Sequence, residues 1–220
     1  MSGYDLTEKL LKIKSGVPAG KSGSWEVEKF TITEAEAKFE RMRHTVQAMQ
    51  GRGFRAPDPG NYTKLTRNGE CIMSDTTAEM EDMRSLVNRA EGNVLIHGLG
   101  LGLATEICLQ HPAVKSVTVI ERSEDVLKLV EPYLTGKYSA SDGRHQYPQG
   151  RCLTIIQADA FVWRPPKGVV YETIWSDIWD NLCTDNIAEF TKLRRIYCRK
   201  KKWHGFWCET DVQRLKMRGW

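Results

Sequence analysis

Two carboxylates stand three residues apart beside an indole in the segment Asp177-Ile178-Trp179-Asp180. Such a pair can grip a cationic group and take a proton from it, once burial and mutual repulsion lift one of the two pKa values. A second cluster is the run Gly98-Leu99-Gly100-Leu101-Gly102. Glycines at that spacing permit a tight turn, let a ligand approach the backbone, and precede a helix whose first N–H groups are free. Glu121 stands 23 residues after Gly98, where a carboxylate can accept two hydrogen bonds from the ribose hydroxyls of an adenosine ligand. Asp159, flanked by Ala158 and Ala160, can hold an adenine amino group or cap the turn that follows. Asp177, Asp180 and Trp179 form the expected catalytic set. The expected cofactor set is Gly98, Leu99, Gly100, Gly102, Glu121, Arg122, Asp159, Ala160 and Asp177, and no metal site is expected.

These groups need a scaffold that brings four distant segments to one edge. From residue 93 onward, short apolar runs alternate with helix-period segments, the pattern of a parallel sheet covered by helices. Strands are expected at 93–97, 116–121, 152–157, 172–177 and 203–208. Helices are expected at 103–110, 124–133 and 185–198, the last with Ile187, Phe190, Leu193 and Tyr197 at helical spacing. Every polar signal falls at the carboxyl end of a strand, where a doubly wound sheet opens its crevice. The turn-rich stretch 135–150 reads as a mobile active-site loop or as a neutral insertion.

Before residue 93 the pattern differs. Residues 1–24 are expected to be a flexible N-terminus, and 25–92 an N-terminal α+β element. That element holds a strand at 25–32, a charged helix at 34–49, a hairpin of 62–67 and 70–75 about Asn68-Gly69, and a helix at 76–89. The remainder, 93–220, is expected to be a Rossmann-like cofactor-binding catalytic domain. The fold class is therefore α/β: a Rossmann-like, doubly wound, mainly parallel sheet of about five core strands with a shortened C-terminus, beside a small α+β element.

Bulk properties bound the rest. With 220 residues, 40% of them hydrophobic, the chain can bury one sizeable core. Its six cysteines form no CxxC pair, and neither a secretion signal nor a membrane-spanning run is legible, so a cytoplasmic protein is expected. The net charge of +4 says little by itself, but Lys192, Arg194, Arg195, Arg199, Lys200, Lys201, Lys202 and His204 cluster around Tyr197 and Trp203. This stripe, densest between Arg194 and Lys202, could hold nucleic-acid phosphates, or could simply complement a helix dipole. His97 reads as a core histidine or as a group reaching substrate.

In this order the signals resemble class I S-adenosylmethionine-dependent methyltransferases, and within them the spermidine-synthase-like branch. The resemblance covers roughly residues 62–210, and its closest stretch is VLIHGLGLGLATEICLQHPAVKSVTVIE. Asp177 and Asp180 match the DxxD that supplies the base and grips the polyamine in aminopropyltransferases. The GLGLG turn with the MSDT segment at 73–76 is also similar to methyltransferases inferred from phage genomes, which implies a host cytoplasm. The resemblance implies a transferase binding S-adenosylmethionine, with a small-molecule or macromolecular methyl acceptor, and a homodimer formed through the N-terminal β element. The alternatives are an aminopropyltransferase using decarboxylated S-adenosylmethionine and a non-catalytic cofactor-binding or interaction protein. Leu101 stands where aminopropyltransferases carry an Asp, and their Tyr-rich acidic approach to the polyamine is not recognisable in 77–83. Both departures favour methyl transfer.

Overall fold

The computed structural model describes residues 3–49, 57–137, 150, 152–181, 183–198 and 201–217. The chain begins with α1 (Gly3–Leu10), β1 (Gly20–Ser22), β2 (Trp25–Ile32), α2 (Glu34–Met49), β3 (Gly60–Arg67), β4 (Glu70–Ser74), α3 (Thr77–Asp82) and α4 (Arg84–Arg89). It continues with β5 (Gly92–His97), α5 (Leu103–Gln110), β6 (Val114–Glu121), α6 (Glu124–Lys137), β7 (Cys152–Gln157), β8 (Thr173–Ser176), α7 (Asn186–Ile196), β9 (Trp203–Phe206) and α8 (Glu209–Met217).

The five later strands form one parallel sheet in the order β7-β6-β5-β8-β9. Their apolar residues divide between two cores. Val94, Ile96, Val117, Val119 and Trp175 face α4, α5 and α6, whereas Leu95, Ile120, Ile174 and Phe206 face α7 and α8. Because successive strand side chains point to opposite faces, this alternation makes the sheet doubly wound. The chain starts in the middle with β5, runs to one edge, and returns to β8 beside β5. The switch point therefore lies between the ends of β5 and β8, where such sheets open a crevice.

The smaller sheet is antiparallel, in the order β1-β2-β3-β4. Asn68 and Gly69 turn β3 into β4 with φ of 52° and 85°, the paired positive values that a two-residue hairpin turn requires. The helix expected over 76–89 is broken into α3 and α4 at Met83, a 3% exposed residue whose side chain reaches into the crevice. Helix α6 runs four residues beyond the expected end because Leu134, fully buried, continues the row of Val126, Leu127 and Val130. Most of the expected 135–150 loop lies outside the described residues.

Residues 3–22, within the stretch expected to be flexible, make defined contacts with the rest of the chain. Leu10, Leu11 and Val17 are buried in the main core, and β1 pairs with β2. Asp75, 1% exposed, anchors this segment: its Oδ2 accepts the Ser15 N–H at 2.9 Å and its Oδ1 the Thr63 N–H at 2.7 Å. The Ser15 hydroxyl in turn donates to the carbonyl of Leu101, at 3.2 Å. The N-terminal segment is thus bonded to the glycine turn itself.

Candidate active site

The switch point holds a cavity of about 300 Å³. One wall is the end of the parallel sheet; the other is the hairpin sheet with α3. Gly98 and Gly100 form the floor because a side chain could not fit. Gly98 has φ of 93°, and a Cβ there would collide with the backbone oxygen of Asp177. Gly100 has φ of 50°, and a Cβ there would meet the sulfur of Met73. That sulfur accepts a hydrogen bond from the Leu101 N–H at 3.2 Å, so β4 reaches across to the turn. Gly102 lies outside the cavity lining; it begins α5 at φ of 77° with Leu134 packed against it.

Glu121 is oriented by the backbone. Its Oε2 accepts the Leu99 N–H at 2.8 Å and its Oε1 the Ser123 N–H at 2.7 Å. Each carboxylate oxygen keeps a further acceptor site, and Glu121 lines the cavity. Arg122 beside it is exposed at the mouth. Asp159 uses Oδ1 to accept the Phe161 N–H at 2.7 Å, which folds the 158–161 segment over the cavity with Ala160 on its lining.

Asp177 differs from the other carboxylates. It lines the cavity, and among the described residues no hydrogen bond or ion pair reaches its carboxyl group. Burial, followed by the negative charges of Glu79 and Asp82, pushes its pKa up to about 7. Glu79 is itself raised by burial, despite accepting the Ser74 N–H at 2.6 Å and the Ser74 hydroxyl at 2.7 Å. Two carboxylates of α3, Glu79 and Asp82, thus act on Asp177 electrostatically, and Glu79 also lines the cavity. Their spacing of three residues was the available signal, because it puts both on one helix face. Among the described residues, no set of three or more His, Cys, Asp or Glu side chains is placed to hold a metal ion.

Asp180 has a different partner. Arg67, from the end of β3 and 113 residues away in sequence, forms an ion pair with it, and the guanidinium lies over the Trp25 ring at 5.2 Å. A carboxylate so neutralised is a poor second grip for a cation. Trp179 donates its indole N–H to Glu189 and stands edge-on to Phe190 at 4.7 Å, so it forms an apolar wall of the cavity. Sequence reasoning missed Trp25, Arg67, Met73 and Glu79, all contributed by the N-terminal part.

His97 does not reach the cavity. It is fully buried, its Nδ1 bonds the Ser176 hydroxyl at 2.8 Å, and that hydroxyl meets His204 Nε2 at 2.9 Å. Burial lowers both histidines, to about 3 and about 2, so they are neutral core groups. Three described members of the basic stripe are engaged within the chain. Arg194 pairs with Glu209, Lys202 with Glu91 at 3.1 Å, and Lys201 donates to the Arg194 carbonyl at 3.0 Å. Arg199 and Lys200 lie outside the described residues.

No family model matches the chain, and no curated protein matches it. Among solved structures it is similar to the CcbJ methyltransferase of Streptomyces caelestis, with 14% identity over 55% of this chain and 44% of that one, at a TM-score of 0.35. It is also similar to a S-adenosylmethionine-dependent methyltransferase of Clostridium acetobutylicum, with 15% identity over 58% and 45% and a TM-score of 0.34. A third is the Δ1-pyrroline-2-carboxylate reductase of Thermococcus litoralis in complex with NADH and L-proline, with 8% identity over 80% and 58% and a TM-score of 0.31. The chain spans a little under half the length of the first two. These likenesses are distant, and the fold class rests on the strand order described above. Among the described residues, no helix is long and apolar enough to cross a membrane.

Proposed function

We propose that this chain is an S-adenosylmethionine-dependent methyltransferase whose acceptor is an amine. The observation that carries the reading is the Asp177 carboxyl. It has no hydrogen-bond or ion-pair partner among the described residues, is raised to about 7, and is set at the switch point beside a glycine turn and an oriented Glu121. Gly98 and Gly100 would let the cofactor lie against the backbone, Glu121 would accept its ribose hydroxyls, and Asp159 its adenine amino group. When bound, the cofactor supplies a methyl group on a positively charged sulfur, which leaves readily to a nucleophile with a free lone pair.

The chain's own residues supply the rest. An amine arrives protonated at neutral pH and has no lone pair. Glu79, Asp82 and Asp177 favour the cationic form at the cavity, and Asp177, whose pKa lies close to neutrality, takes the proton and frees the lone pair. Trp179 excludes water on one side. Because methyl transfer is an in-line displacement, alignment and desolvation account for most of the remaining catalysis.

One observation favours a second reading. The Glu79, Asp82 and Asp177 charges also suit a polyamine accepting an aminopropyl group, although Leu101 and the Arg67–Asp180 pair weaken it. The internal pairing of Arg194, Lys202 and Lys201 favours a small amine over a nucleic acid as acceptor.

The test uses methyl-labelled S-adenosylmethionine with a panel of primary and secondary amines and with cell extract. Label is expected in an amine product and is expected to vanish with Asp177→Ala. Transfer only from the decarboxylated cofactor favours the second reading, and absence of label in any acceptor contradicts an enzymatic role.

A further inference from the structure

Helix α2 is amphipathic the wrong way round. In the sequence, Ala35, Phe39, Met42, Val46 and Met49 recur at intervals of four, three, four and three residues. On a helix turning 100° per residue they form one narrow row, the seam pattern of a coiled coil. A surface helix normally turns such a row toward its own core. Here the reverse holds. Ala37, on the opposite side of the helix, is fully buried, and it alone is buried among the described side chains of α2. Ala35 is exposed, Phe39 is 61% exposed and Met42 57%. Ala35, Phe39 and Met42, the described part of the row, therefore point away from the body of the protein.

The charges beside the row say what covers it. In heptad terms, Glu36 and Arg43 occupy equivalent flanking positions on one side of the seam, and Lys38 and Thr45 on the other. If two copies of α2 run antiparallel with Phe39 opposite the partner copy's Met42, each Glu36 faces an Arg43 across the seam, twice by symmetry. If they run parallel, each Lys38 faces an Arg43, and like charges oppose the pairing on both sides. Both groups are available. Glu36 uses Oε2 to accept the Thr33 N–H and hydroxyl, leaving Oε1, and Arg43 is 54% exposed while bonded to Glu40 at 2.8 Å.

We infer that α2 is the seam of a homodimer in which two copies of this chain pair antiparallel through Ala35, Phe39 and Met42, with Glu36 and Arg43 setting the direction. The inference is independent of the proposed activity. The helix has 16 residues, a seam of about 24 Å, so association is concentration-dependent rather than permanent.

Sedimentation equilibrium of the full chain over a range of concentrations tests it. The mass is expected to rise from one chain toward two. Phe39→Glu and Met42→Glu, both at exposed positions, should each weaken association roughly tenfold or more with unchanged circular dichroism. Glu36→Arg makes its flank wholly basic, and Arg43→Glu makes it wholly acidic, so each alone should dimerise less than the native chain. An equal mixture of the two should dimerise more than either alone. A chain that stays monomeric throughout overturns the inference, as does a dimer indifferent to Phe39→Glu. Charge variants that associate like the native chain, singly and mixed, overturn the antiparallel arrangement.

Discussion

Replacing Asp177 by asparagine is expected to abolish methyl transfer while making the ligand-free protein more stable at pH 8. Both effects share one cause. The carboxyl is moved from its ordinary 3.8 to about 7 because burial, Glu79 and Asp82 all oppose its negative charge. The folded state therefore binds this proton more tightly than the unfolded state does. Below pH 3.8 the group is protonated in both states and contributes nothing. Between 3.8 and about 7 stability falls as pH rises, and above 7 the full penalty of a partly buried anion with no partner among the described residues is present. It amounts to roughly 4 kcal/mol at most. Asparagine carries no charge, so its advantage should be absent at about pH 3.5 and largest at about pH 8, as read from urea unfolding at each pH. Catalysis should move in the opposite direction. In the native chain kcat/KM should rise with pH, reach half its maximum near 7 and level off above it. An asparagine amide cannot accept the proton, so the activity of Asp177→Asn should drop about 10²- to 10⁴-fold. An unfolding difference that is the same at both pH values would contradict this account, as would a flat pH profile.

The second large effect is expected at Gly98. Gly98→Ala should lower stability by about 3 kcal/mol or more, since an L-residue at φ of 93° is strained by about 1–3 kcal/mol and the added methyl meets the backbone oxygen of Asp177. That oxygen cannot rotate away. The Asp177 N–H donates to the His97 carbonyl at 2.9 Å, so the ends of β5 and β8 are tied together at this point. Thermal unfolding should fall by about 10 °C, and ligand binding should fall with it, because the crevice opens between those two strands. Gly100→Ala provides the contrast. There the obstacle is the flexible Met73 side chain, so the loss should be smaller and partly restored by Met73→Ala. Equal losses at Gly98 and Gly100, or a loss below about 1 kcal/mol at Gly98, would mean that the turn is not held as described.

How much of this was legible in the sequence follows from the range of the forces involved. Runs such as Val94-Leu95-Ile96 and Val119-Ile120 are buried on both faces, and continuous apolarity marks such strands. Asn68-Gly69 marks its hairpin because the requirement for positive φ is local. The doubly wound arrangement and the carboxyl-end placement of Gly98, Glu121, Asp159 and Asp177 follow from those elements and the connection rules.

What was not legible depends on partners remote in sequence. Nothing around Asp180 announces Arg67, and nothing around Leu101 announces Met73 or Ser15. Those contacts come from the docking of the antiparallel sheet on the parallel one, which spacing cannot encode. The contacts of the N-terminal segment were hidden for a similar reason. Leu10, Leu11 and Val17 sit among lysines and glycines, and only the core they enter reveals them as anchors. The acidic pair Glu79 and Asp82 acquires meaning only beside Asp177.

The crevice between β5 and β8 is expected to hold S-adenosylmethionine with Glu121 on its ribose. Calorimetric titration of S-adenosylmethionine into the native chain and into Glu121→Ala tests it most directly. Saturable binding at one site is expected for the native chain, with affinity at least about tenfold weaker in the variant, which stays folded but loses some stability because the Leu99 and Ser123 N–H groups lose their acceptor. No saturable heat from the native chain, or equal affinity in the two, would contradict it.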